Sequence, residues 1–133
     1  MNYVRGMNPD QLDAGDVLTQ LADDAGDQGE ALHCTNCLHL ITYTGSRTRV
    51  DGGHEHHFSN PQGEAFHIGC FRQAPGCRSQ GIPTSRYSWF AGCRWSYAVC
   101  RGCNEHLGWY YTGQTAFYGL ILLKLVPGTP PSS

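Results

Sequence analysis

The sequence predicts a mostly β domain held by a metal, and three observations carry that reading. Charged residues make up only 15% of the 133, while 17 are glycine and 7 proline, a balance that favours short strands and turns over long helices. Short strand-like segments follow one another between Gly, Pro and Asn punctuation. Four of the seven cysteines fall into two C-x-x-C pairs, which in a cytosolic chain read as metal before disulfide.

The segments ALHC, LHLITYTG, HHFSN, AFHIGCF, RYSWF, RWSYAVC, LGWYY and AFYGLILLKLV are the expected strands, paired antiparallel in sequence order. Tyr87–Phe90 and Arg94–Tyr97, separated by Ala91-Gly92-Cys93, read as a hairpin. Ahead of them, Asn8-Pro9 and the loose spacing of Leu12, Val17, Leu18 and Leu21 allow a short helix, which Gly15 and Gly26 weaken. The expected organisation is an acidic, partly disordered segment over 1–29, one domain over 30–127 and a flexible tail over 128–133.

Seven acids crowd into residues 1–31 against Arg5 alone, and the remainder is mildly basic without a run of positive charge. That distribution argues against nucleic acid as a partner. No stretch approaches the length of a membrane span, and the start MNYVRGMNPDQLDAGD lacks the apolar run of a signal peptide, so a cytoplasmic protein without a membrane partner is expected.

Structural zinc takes four tetrahedral ligands, and each C-x-x-C turn supplies two thiolates from one tight knuckle. Cys34, Cys37, Cys100 and Cys103 therefore form the candidate Zn2+ site, with Gly102 and Asn104 suited to the positive φ such turns often need. The 62 residues between the pairs make the metal a staple for nearly the whole domain. A redox dithiol and a pair of disulfides are the competing readings. Four protein ligands leave no open coordination position, so the metal is not expected to be catalytic. Cys70, Cys77 and Cys93 read as small buried hydrophobes, and His54-Glu55-His56-His57 lacks the helical spacing of a metal motif.

Trp89, Trp95 and Trp109 lie within 21 residues on either side of the second knuckle. Spacing alone leaves two readings open, the core of a small domain or an aromatic cage around a ligand. The sole acid between residues 85 and 111 is Glu105, so a cage would suit a neutral ligand better than a cation.

Taken together, both C-x-x-C pairs, the H-E-H…N-P-x-G run from His54 to Gly63, the Y-S-W-F…W segment and H-L-G-W-x-Y at His106–Tyr111 resemble the CULT domain, the cereblon-type thalidomide-binding family with stand-alone bacterial members. The resemblance covers residues 32–126. It implies a β-tent of two roughly orthogonal antiparallel sheets pinned by zinc, a bacterial source and a binding module rather than an enzyme. It further implies that Trp89, Trp95 and Trp109 wall a cage bordered by Phe66 and Tyr111, with Asn60 and Pro61 on a covering loop. Backbone groups of Tyr87 and Trp89 would bond the ligand, with Ser88 between them. The implied ligands are glutarimides, thalidomide-type drugs, uracil-like compounds and proteins ending in a cyclic imide. Two alternatives stand beside this: a methionine sulfoxide reductase B-like β-tent enzyme using Cys93, and a zinc-ribbon-like protein-interaction module.

Overall fold

A computed structural model describes residues 29–128; the acidic N-terminal segment and nearly all of the expected tail lie outside them. Nine strands follow one another among the described residues: β1 (Ala31–Cys34), β2 (Leu40–Tyr43), β3 (Glu55–Ser59), β4 (Ala65–Phe71), β5 (Cys77–Thr84), β6 (Arg94–Cys100), β7 (His106–Thr112), β8 (Ala116–Ile121) and β9 (Leu125–Pro127). They form two sheets in the orders β2-β1-β9 and β3-β4-β8-β7-β6-β5, with every pairing antiparallel. The mostly β, two-sheet expectation is met. The larger sheet joins a β3–β4 hairpin to a β5–β8 meander through the β4–β8 pairing. No helix among the described residues is long and apolar enough to cross a membrane.

Two local expectations are corrected. Besides β7, β6 pairs with β5, which the sequence reading left out, and not with the Tyr87–Phe90 segment. Strand β5 is an edge strand with most of its side chains in solvent and with Gly81 and Pro83 near its end, so it carries no apolar alternation. Residues 85–93 are instead a loop. Tyr87 takes φ +58°, and the Ser88 N–H closes a turn on the Ser85 carbonyl. The second correction is the AFYGLILLKLV run, which breaks at a 3₁₀ turn (Leu122–Lys124) and passes from the large sheet to the small one.

The alternation of side chains across the large sheet gives it two apolar faces. One packs with β1 and β2 around Leu32, Ile41, Phe71, Leu107 and Leu120. Gly76 lies at this seam: its N–H donates to the Ile41 carbonyl (2.9 Å), and a Cβ there would overlap the Leu40 carbonyl. On the opposite face, the cross-strand pairs Trp95–Tyr111 and Tyr97–Trp109 put four aromatic side chains on one side. Phe90 plugs this face, 1% exposed and edge-on to Tyr111 and Phe117 at 4.9 and 5.1 Å. Phe90 thereby helps to hold the 85–93 loop against the sheet.

Candidate metal centre and ligand cavity

Strand β1 ends on Cys34 and strand β6 on Cys100, and each is followed by the same knuckle. The Leu38 N–H donates to the Cys34 carbonyl and the Asn104 N–H to the Cys100 carbonyl, both at 2.8 Å. The Asn36 and Gly102 N–H groups point to the Cys34 and Cys100 sulfurs at 3.4 and 3.3 Å. Positive φ occurs at the equivalent residues Leu38 (+65°) and Asn104 (+66°). The expectation for Asn104 is met. Gly102 is needed for space instead, since a Cβ there would come within 3.1 Å of the Cys37 sulfur and 3.0 Å of the His39 Cβ.

The four sulfurs lie within 4.8 Å of one another, with Cys34–Cys103 at 3.8 Å and Cys37–Cys100 at 3.6 Å. Tetrahedral Zn–S bonds of about 2.3 Å require sulfurs about 3.8 Å apart, so the donor set fits zinc. Their surroundings set the acidities of the thiols apart. A hydrogen bond from the Asn36 side chain (3.2 Å), with help from the Glu105 backbone, brings the Cys103 thiol down to about 7. At Cys37 the His39 backbone favours the thiolate, but desolvation and the adjoining thiols outweigh it and push the group up to about 12. Four adjacent thiolates need a positive ion between them.

The other metal and nucleophile candidates are occupied otherwise. His56 Nε2 sits 2.9 and 3.0 Å from the Val50 and Gly53 carbonyls, and His67 bonds Glu55 at 2.7 Å. Among the described residues the four cysteines form the one cluster of metal-ligand type. Burial pushes Cys70 and Cys77 up to about 12 and raises Cys93 as well, the opposite of what a reactive thiolate requires.

The exposed part of the aromatic face opens into a cavity of about 640 Å³. Asn60, Pro61, Phe66, Tyr87, Trp89, Trp95, Trp109 and Tyr111 line it, eight of the nine residues singled out from the sequence for a ligand. Ser88 does not: its hydroxyl donates to the Phe90 carbonyl at 3.0 Å and it borders a separate shallow cleft. Trp89 and Trp109 meet edge to face at 4.8 Å, and Phe66 lies 5.2 Å from Trp109. Two indole N–H groups are spent on the scaffold, Trp89 to the Ser59 carbonyl (3.2 Å) and Trp95 to the Arg86 carbonyl (2.7 Å). The backbone N–H and C=O groups of Tyr87 and Trp89 make no hydrogen bond among the described residues. A cavity lined by three indoles, and by two residues whose backbone groups are unpaired, can hold a flat, apolar ring that carries its own donor and acceptors.

Asn60 sits at the start of the covering loop and organises it. Its Oδ1 accepts the N–H groups of Gln62 (3.0 Å) and Glu64 (2.8 Å). The sequence reading missed Gln62, Glu64, Tyr97, His106, Ile121, Leu123 and Lys124 as lining residues. Tyr97 was within reach by the period of two from Trp95. His106 packs edge-on to Trp109 (4.9 Å) and Tyr97 (5.3 Å), and burial lowers its basicity so that the ring stays neutral.

No protein-family model matches the chain. Curated relatives do: the chain is 32% identical over 79 residues to cereblon of Gallus gallus and 30% identical over the same length to cereblon of Danio rerio, in each case 55% of this chain and 18% of the relative. Cereblon of Drosophila virilis is 22% identical over 102 residues, 74% of this chain and 16% of the relative. The chain thus spans less than a fifth of the length of these relatives. Two antiparallel sheets, a four-cysteine cluster and this similarity to the C-terminal region of cereblon are together consistent with a cereblon-type CULT domain.

Proposed function

We propose that this domain is a binding module for neutral cyclic imides and amides, held in the cage of Trp89, Trp95 and Trp109, with Zn2+ on Cys34, Cys37, Cys100 and Cys103 as scaffold. The observation that carries the reading is the convergence of three indoles and the unpaired backbone of Tyr87 and Trp89 on one cavity. The rings exclude water from one side of a flat ligand, and the backbone of the 85–93 loop reads its imide edge. Glutarimides, uracil-like rings and proteins ending in a cyclic imide share that edge. The site performs recognition, not turnover: the nearby Cys93 thiol has its acidity suppressed by desolvation, which disfavours the reductase alternative.

A glutarimide has about eight heavy atoms, and at about 1 kcal/mol per atom its Kd falls near 1 μM. Trp95 is half-buried, and its ring forms a wall more than a core. Titrating a fluorescent thalidomide analogue into the wild type and into Trp95→Ala is the test. We expect at least a tenfold loss of affinity in a variant that keeps its fold and zinc content. Unchanged affinity in a folded variant would sink the cage.

A further inference from the structure

The cavity is larger than the ring it is proposed to hold. Even at about 30 Å³ per heavy atom, the share of a water molecule in the liquid, an eight-atom ring fills about 240 Å³ of some 640 Å³. The lining shows what the remaining space suits. Only two formally charged side chains border it, Glu64 on the covering loop and Lys124 in the 3₁₀ turn after β8.

Lys124 is held in place by both zinc knuckles. Its carbonyl accepts the Thr35 N–H (3.1 Å), next to Cys34. Its ammonium donates to Glu105 Oε2 (3.0 Å) and to the His106 carbonyl (2.9 Å), both just past Cys103. An ammonium has three N–H donors, and these contacts use two. The side chain is 34% exposed, and its ammonium has no third protein acceptor among the described residues.

Resting on the imide-binding reading, we propose that Lys124 is a specificity residue that donates its third N–H to an acyl oxygen on a ring substituent, so that the preferred ligands are acyl-substituted cyclic imides rather than bare rings. A neutral oxygen suits the place better than a carboxylate. Glu105 already neutralises the ammonium, and Glu64 borders the same cavity, so an anionic substituent would meet an ammonium already paired and a carboxylate of its own sign. Because the ammonium is already fixed by two partners, little side-chain entropy is lost when the third bond forms.

The test measures glutarimide, 3-acetamidoglutarimide and 3-carboxymethylglutarimide by tryptophan fluorescence against the zinc-loaded wild type and Lys124→Met. In the wild type the acetamido ligand should bind about tenfold tighter than glutarimide, as expected for a hydrogen bond to a charged donor, and the carboxylate should gain less. In Lys124→Met that advantage, taken as the ratio of the two affinities within the variant, should fall to within twofold. Persistence of the full advantage in the variant overturns the assignment, and so does equal binding of glutarimide and the acetamido ligand by the wild type, a result that stands even if the variant fails to fold. Failure of every imide to bind the wild type overturns the imide reading itself.

Discussion

Leu38 carries a conformational cost that its counterpart in the other knuckle avoids, and replacing it should stabilise the domain. Its φ of +65° matches the +66° of Asn104, and both N–H groups make the same 2.8 Å bond to the first cysteine of their pair. An L-residue with a Cβ loses about 1–2 kcal/mol in this region, and Asn loses less because its short polar side chain bonds locally. Leu38 is 67% exposed, so truncating it forfeits about a third of a full leucine burial, about 0.5–1 kcal/mol. Leu38→Asn should therefore gain about 0.5 kcal/mol, or about 2–4 °C in Tm for a domain of this size. Leu38→Ala loses the same contacts without relieving the backbone and should fall below the wild type. The reverse change, Asn104→Leu, should cost more than 1 kcal/mol, because it also removes the acceptor of the 2.6 Å bond from Arg78. Thermal unfolding of the zinc-loaded proteins, followed by circular dichroism, separates these cases. If Leu38→Ala matches or exceeds Leu38→Asn, the cost does not lie in the backbone and the reasoning fails.

Three further outcomes are expected. Stripping the metal with a strong chelator should abolish the near-ultraviolet dichroism of the aromatic face and imide binding together, and an apoprotein that keeps both would contradict the scaffold role of zinc. Asn60→Ala removes the acceptor of two loop N–H groups and should weaken imide binding about three- to tenfold at constant zinc content, as read by titration and metal analysis. His106 is held neutral in the fold, mainly by desolvation, with Lys124 opposing its charge and Glu105 and Glu64 favouring it. The unfolded chain therefore takes up a proton first as pH falls through about 6.5, and stability drops from there down to the lower folded-state value. Urea midpoints at pH 7.5 and 5.5 should show a smaller acid loss for His106→Gln than for the wild type, and equal losses would refute this.

How legible the molecule was depended on which side of a strand carries the chemistry. β1, β4, β6, β7 and the start of β8 announce themselves through apolar side chains that the two faces bury. β5 does not, because its pairing is made by backbone while Gln80, Ile82 and Pro83 face solvent. Tyr87-Ser88-Trp89-Phe90 misled in the other direction. Its aromatic residues have high strand propensity, yet Phe90 serves as a plug and Trp89 as a wall, and both uses need a loop. The four-cysteine cluster could be read in full from two spacings. Most of the cavity was legible only as a set of residue identities, and Lys124 was hidden because its position depends on the 3₁₀ break in an unbroken apolar run.

In the small sheet β1 lies between β2 and β9, so the earliest described strand waits for the latest. On a ribosome adding about 5–20 residues per second, the 62 residues between the cysteine pairs take roughly 3–12 seconds to appear. For that interval Cys34 and Cys37 form half a coordination shell, open to oxidants and to softer metals. Lys124 and β9 emerge later still, after Cys103 can close the shell. All four cysteines are thus synthesised before the residues that complete the cavity, so correct metal loading in the cell would depend on how well the first two thiols are protected.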